Sequence, residues 1–165
     1  MIENVLHAYN MHAAYRQVVK NKGSAGVDGV KVGQLEAKIR KDYPQLKADI
    51  RNGKYLPQPI LGVEIPKGND KTRLLGIPTT TDRMLQQAVA QVLMPKWEPY
   101  FSNNSFGFRP KRNARQAVGK ALGYINAGYK HIVDMDLKTF FDEVDHCLLL
   151  NLIYQRVKNA QSLWN

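Results

Sequence analysis

The stretch VDMDLKTFFDEVDH, residues 133–146, places four aspartates and two adjacent phenylalanines inside a chain whose formal charge is +10. Acid concentrated in a basic protein suits a divalent-cation site that works on a polyanion. The residues HIVDMDL alternate with period two, as a half-buried strand does. On such a strand Val133, Met135 and Leu137 face one side and Ile132, Asp134 and Asp136 the other, which sets the two carboxylates about 7 Å apart. Like charges that close repel and titrate abnormally unless a cation lies beside them. Mg²⁺ accepts one or two carboxylates together with substrate phosphates, so this pair is a candidate ligand set. The plainer reading is a strand with two solvated aspartates on its outer face and Phe140 and Phe141 in a core.

The charge balance, 24 Lys and Arg against 14 Asp and Glu, points to a polyanionic partner such as nucleic acid. A single cysteine, Cys147, excludes an intrachain disulfide and a cysteine-based zinc site. The histidines at 7, 12, 131 and 146 show no ligand spacing. The N-terminus has no apolar core of signal-peptide length, and no segment is long enough to span a bilayer. A reducing, cytoplasmic location without membrane association is the expectation.

Several elements must position the acidic stretch. Residues 2–20 read as one amphipathic helix with Val5, Leu6, Ala8, Tyr9, Ala13 and Val18 on its apolar face. The glycine-rich NKGSAGVDG, residues 21–29, forbids regular structure. Helical patterns resume at 32–40 and 44–52, with Gly53 where a helix-ending glycine belongs. In YLPQPILGVEIPKGNDKTRLLGIPTT, residues 55–80, two apolar runs flank GND, which predicts an antiparallel ribbon with a basic tip. A helix is expected over 82–93, a loop over 102–112 and a helix over 113–125. Asp145 is placed to cap a last helix from about His146 to Lys158. The chain thus reads as an α/β (α+β) protein, one compact unit apart from the glycine-rich loop.

Four segments occurring in order narrow the reading: NKGSAGVDG at 21–29, IPKGNDKTRLLGIPTTTDRMLQQA at 65–88, SFGFRPKRNARQAV at 105–118 and VDMDLKTFFDEVDH at 133–146. Together they resemble the group II intron reverse transcriptases, the intron-encoded maturase family, over nearly the whole chain. The resemblance implies a right-hand polymerase, with residues 1–130 as fingers carrying the basic β-ribbon and 131–165 as the first strand and helix of the palm. Asp136 matches the family's first catalytic aspartate, a ligand of two Mg²⁺ ions, with the Leu137 carbonyl as a further ligand. Asp134 matches no ligand, so strand geometry alone overstates the pair. Phe141 matches the aromatic under the incoming sugar, whose bulk excludes a 2′-hydroxyl. Lys67 and Arg73 match the cations that hold the deoxynucleotide triphosphate. Pro66, Leu75 and Ile77 match apolar positions packed on the templating base, and the loop beginning Asn21, Lys22 and Gly23 matches one that covers the template.

The partners implied are an RNA template, a DNA primer and group II intron RNA. The alternative is a maturase-type RNA-binding module that assists splicing without catalysis, and Asp136 discriminates the two because gripping RNA does not need it. Arg109, Lys111, Arg112 and Arg115 form a candidate basic surface for RNA phosphates. The sequence holds no Tyr-Ala-Asp-Asp box, which the family pattern places downstream. The 165 residues are therefore expected to be part of a larger enzyme and, alone, not to polymerise. An unpaired strand at 131–137 would present an edge to a second copy, so a homodimer is a further expectation.

Overall fold

The computed structural model describes residues 1–68, 71–137 and 139–157. It divides into two compact units, one over Met1–Met94 and one that begins at Pro95, where the sequence suggested a single one. Six α-helices and one two-stranded sheet make an α+β chain among the described residues.

In the first unit the chain opens with two helices instead of the single one expected over 2–20: α1 (Ile2–Val5) and α2 (Ala8–Asn21). The break falls at Leu6 and His7, because the His7 side chain accepts from Tyr9 N at 3.3 Å and so starts a new helix. The turn also redirects the apolar face, burying Met11, Ala14 and Val18 and leaving Tyr9 exposed. A 3₁₀ turn (Val32–Gln34) leads into α3 (Leu35–Arg51), which runs unbroken through Pro44 where two helices were expected. Pro44 and Arg40 both lie on the exposed side, so the carbonyl that proline deprives of a donor can be solvated. Gly53, at φ +66, closes α3: its N–H reaches Ile50 O at 3.2 Å and Lys54 N reaches Asp49 O at 2.8 Å. Arg51 grips both carboxylate oxygens of Glu3, tying this end to α1 and holding the Glu3 carboxyl below its ordinary value.

The predicted ribbon is present as β1 (Leu61–Gly68) and β2 (Lys71–Ile77), paired antiparallel. Its tip residues Asn69 and Asp70 lie outside the described residues. Helix α4 (Thr80–Trp97) follows directly and packs Met84, Leu85 and Ala88 into a core with Val5, Met11, Ala14, Val18, Leu35 and Leu46. Asn10 joins α2 to α4 by donating to Ala88 O at 3.0 Å and accepting from Gln91 at 2.7 Å.

The second unit contains the irregular segment 102–112, α5 (Ala114–Asn126) and α6 (His146–Val157). Asn113 caps α5 in a reciprocal box with Gln116, and Asp145 caps α6 by accepting from Leu148 N at 2.9 Å. The Asp145 cap stands where the sequence puts it, while Asn113, expected as the first helical residue, is the cap itself. The strand expected at 131–137 does not form. A strand's N–H and C=O groups require a neighbouring ladder, and among the described residues the sheet is used up by β1 and β2. No helix among the described residues is long and apolar enough to cross a membrane.

Candidate functional site

The ribbon separates its side chains cleanly. Register pairs Leu61 with Ile77, Val63 with Leu75 and Ile65 with Arg73, so strand alternation puts these six on one face. Arg73 therefore stands at the end of an apolar stripe that includes Leu75 and Ile77. Pro66 pairs with Thr72 and belongs to the other face, so the three candidate template-packing residues do not share one surface. Lys67 is the extra residue of a bulge between Pro66 and Gly68, a device that re-aims a side chain. Lys67 and Arg73 are exposed and make no ion pair among the described residues, which leaves both charges available to an anion.

The base of the ribbon is built on one carboxylate. Asp82, 4% exposed, accepts from Tyr55 Oη at 2.5 Å, from Gln58 N at 3.3 Å and from Thr79 Oγ1 at 2.6 Å. Tyr55 and Gln58 lie on the approach to β1, and Thr79 lies just after β2, so both legs of the hairpin meet at Asp82. Thr79 Oγ1 also accepts from Asp82 N at 3.1 Å and caps α4. Burial first, and the adjoining Asp82 carboxylate second, hold the Tyr55 phenol protonated well above its ordinary value of 10.0.

The glycine-rich loop docks on the same turn. Gly26 is buried, and a Cβ there would lie 2.8 Å from both the Cα and the N of Thr79, so only glycine permits the approach. Arg83 donates from Nη2 to Ser24 O at 2.7 Å, and its Nη1 lies 2.7 Å from where a Gly23 Cβ would be. Asn21 ends α2, and Lys22 follows in a left-handed conformation (φ +57) rarely adopted outside glycine. All three candidate loop residues, Asn21, Lys22 and Gly23, are exposed.

Sequence reasoning missed this turn, although it had a signal. Thr79-x-x-Asp82 directly before an apolar run is capping-box spacing, and it would have started α4 at Thr80 instead of Asp82. A cavity of about 380 Å³ between α2 and α3 is lined by Met11, Tyr15, Ile39 and Tyr43, and another of about 540 Å³ reaches Tyr55, Gln58 and Thr79. Neither includes Lys67 or Arg73.

In the second unit Asp136 and Leu137 are exposed on the irregular segment before the turn at 139–143. Phe141 is 87% exposed and meets Phe140 edge-on with centroids 5.5 Å apart. Phe140 and Phe141 do turn the chain, but they do not enter a core. Lys138 lies outside the described residues. A pair of divalent ions needs several carboxylates to offset their mutual repulsion. Among the described residues no group of three or more His, Cys, Asp or Glu side chains converges, and Asp136 with the Leu137 carbonyl offers two donors. These residues do not by themselves build a two-ion centre.

The basic surface proposed for 109–115 is also changed. Arg109 is 7% exposed in its side chain and committed to Glu98, at 2.7 Å, and to the carbonyls of Ser102 and Ser105. Arg112 donates to Asn103 O at 3.2 Å and covers the Phe106 ring. Arg109 thus holds the loop together and presents no free charge to a partner.

Comparison with known proteins gives this arrangement its context. A profile described as reverse transcriptase (RNA-dependent DNA polymerase) matches residues 65–164. The chain is 35% identical to the protein YkfC of Escherichia coli, over 90% of this chain and 40% of that protein. It is 38% identical to the group II intron-encoded protein LtrA of Lactococcus lactis, over 91% of this chain and 25% of that protein. It is 30% identical to nuclear intron maturase 1 of Arabidopsis thaliana, over 52% of this chain and 12% of that protein. The chain thus spans well under half the length of these relatives. The matched span takes in the ribbon from Ile65 onward, the capped turn at Thr79–Arg83 and the acidic turn, and on that match the chain belongs to the reverse transcriptase (RNA-dependent DNA polymerase) family.

Proposed function

We propose that this chain is the nucleotide- and template-handling part of an RNA-directed DNA polymerase of the group II intron-encoded kind. Residues 1–130 act as fingers and 131–165 as the start of the palm. The observation that carries the reading is the ribbon: Lys67 and Arg73, free of ion pairs among the described residues, stand with an apolar stripe that ends in Leu75 and Ile77. Preorganised cations stabilise charge that develops on a triphosphate, and the stripe offers a surface for a templating base. Pro66 lies on the opposite face and stands apart from that stripe. Asn21, Lys22 and Gly23 lie over the RNA template, and the exposed ring of Phe141 excludes ribonucleotides. Asp136 and the Leu137 carbonyl are this chain's contribution to a centre that takes Mg²⁺, which supplies Lewis-acid activation when bound. The partners are an RNA template, a DNA primer and deoxynucleotide triphosphates.

Two measurements test this. Affinity of the chain for single-stranded RNA is expected to fall a few hundredfold between about 50 and 200 mM salt, as roughly six neutralised phosphates release their counterions. An affinity flat with salt removes nucleic acid as the partner. In the full polymerase that contains this chain, Lys67→Ala and Arg73→Ala each remove a charge-assisted contact worth roughly 1.5–3 kcal/mol. Nucleotide kcat/KM should drop accordingly while primer–template affinity holds, and unchanged nucleotide kinetics take both residues out of the site.

A second reading, an RNA-gripping module that assists intron splicing, is favoured by the similarity to a protein named an intron maturase. Asp136→Ala separates the two, since it abolishes DNA synthesis under the first reading and leaves splicing assistance intact under the second.

A further inference from the structure

The motif TTTDR, residues 79–83, has no role in the reading above, yet its side chains reach two separate segments. Asp82 gathers Tyr55 and Gln58 before β1 and Thr79 after β2. Arg83 holds Ser24 O, and Thr80 Oγ1 approaches Val30 O at 3.5 Å at the far end of the same loop. Thr79 is 1% exposed and presents its backbone to Gly26 at a distance that admits no side chain. Two adjacent residues on one helical turn thus point to different clients. Asp82 addresses the ribbon and Arg83 addresses the glycine-rich loop.

We infer that Thr79, Asp82 and Arg83 are positioning residues that divide this labour: Asp82 sets the base of the ribbon, Arg83 sets the glycine-rich loop, and Thr79 against Gly26 locks the two into one frame. The functional half of the inference rests on the proposed function, in which the ribbon meets the nucleotide and the loop meets the template. The physical basis is local. A buried carboxylate with three donors restrains the segments that supply them, because without it the Thr79 hydroxyl is buried unpaired and the part-buried Tyr55 hydroxyl and Gln58 N–H lose their acceptor. The guanidinium acts on the loop through a single backbone carbonyl, so its loss frees the loop without touching the hairpin. A knot that only stabilised the fold would instead loosen both segments together.

Segment-resolved amide hydrogen exchange on the 165-residue chain separates these cases. Tyr55→Phe is expected to speed exchange in the β1–β2 ladder about tenfold and leave residues 22–31 unchanged. Arg83→Gln is expected to do the reverse. Thr79→Val should loosen both, and Thr79→Ser, which keeps the hydroxyl, should restore both. Parallel loosening of both segments in Tyr55→Phe and in Arg83→Gln, tracking a common fall in melting midpoint, overturns the division of labour. The second readout is affinity for a single-stranded RNA oligonucleotide, expected to weaken about fivefold or more in Arg83→Gln and to hold in Tyr55→Phe. Unchanged affinity in Arg83→Gln overturns the template-side assignment. If the wild-type chain binds no RNA at any salt, the proposed function fails, while the exchange pattern still decides whether these residues position the two segments.

Discussion

Asp82→Ala is expected to destabilise the Met1–Met94 unit by about 3–5 kcal/mol, enough to lower its melting midpoint by roughly 15 °C or more. The carboxylate is nearly inaccessible and serves three donors, two of them hydroxyls at 2.5 and 2.6 Å. Alanine leaves the Thr79 hydroxyl fully buried and the Tyr55 hydroxyl part-buried without their acceptor, and it removes the carboxylate that orients the hydroxyl capping α4. Asp82→Asn should cost less, because its amide keeps one acceptor and the Tyr55 hydroxyl can turn to accept from the other end. An internal control lies one residue away. Thr81 Oγ1 is buried with no hydrogen-bond partner among the described residues, so Thr81→Val is expected to be neutral or stabilising. Calorimetry showing equal losses for Asp82→Ala and Thr81→Val would sink the argument from partners. The same cluster sets an alkaline limit. Because the Tyr55 phenol is raised above 10.0 in the folded protein, its contribution is complete below that pH and is lost as pH rises beyond it.

What was legible in the sequence follows from what each element needs. The ribbon was legible because two apolar runs around GND leave an antiparallel pairing as the near neighbour, and the ladder is satisfied within the hairpin. Asp145 was legible because an N-cap needs only a side-chain oxygen and the amide three residues on. The same locality failed at Pro44, where a strong breaker sits on an exposed face and is tolerated. It failed again at 131–137, where alternation sets a face but cannot supply the strand that pairs with it. Of the candidate site, Lys67 and Arg73 were singled out by the family resemblance, since a cation at a ribbon tip is by itself ordinary solvated charge. The three-way contact at Thr79, Asp82 and Gly26 was not legible, because it joins residues 26, 55, 58, 79 and 82, and no local pattern records which distant segments a carboxylate will gather.

Arg109→Met is expected to have the corresponding effect in the second unit, turning the ordered segment 98–112 into one that opens readily. The side chain reaches both oxygens of Glu98 and the carbonyls of Ser102 and Ser105, and its guanidinium covers the Phe101 ring at 5.2 Å. One planar fork thereby closes a stretch that contains no helix or strand beyond the 3₁₀ turn Glu98–Tyr100. Methionine keeps the apolar stem and discards every donor, so the two carbonyls and the carboxylate lose their common partner together. Limited proteolysis is the natural measurement: cleavage between residues 98 and 112 should accelerate in Arg109→Met and stay slow in Lys111→Met, whose side chain makes no such closure. Acid should imitate the variant. Arg109 holds the Glu98 carboxyl below its ordinary value of 4.5, so the pair's contribution is complete above that pH and disappears as pH falls through the lowered value. Cleavage of the wild type should therefore rise toward that of Arg109→Met as the solution is acidified past that point, while the variant's own rate, normalised for the protease, stays level. A variant that remains as resistant as the wild type would return Arg109 to the surface charges from which its burial removes it.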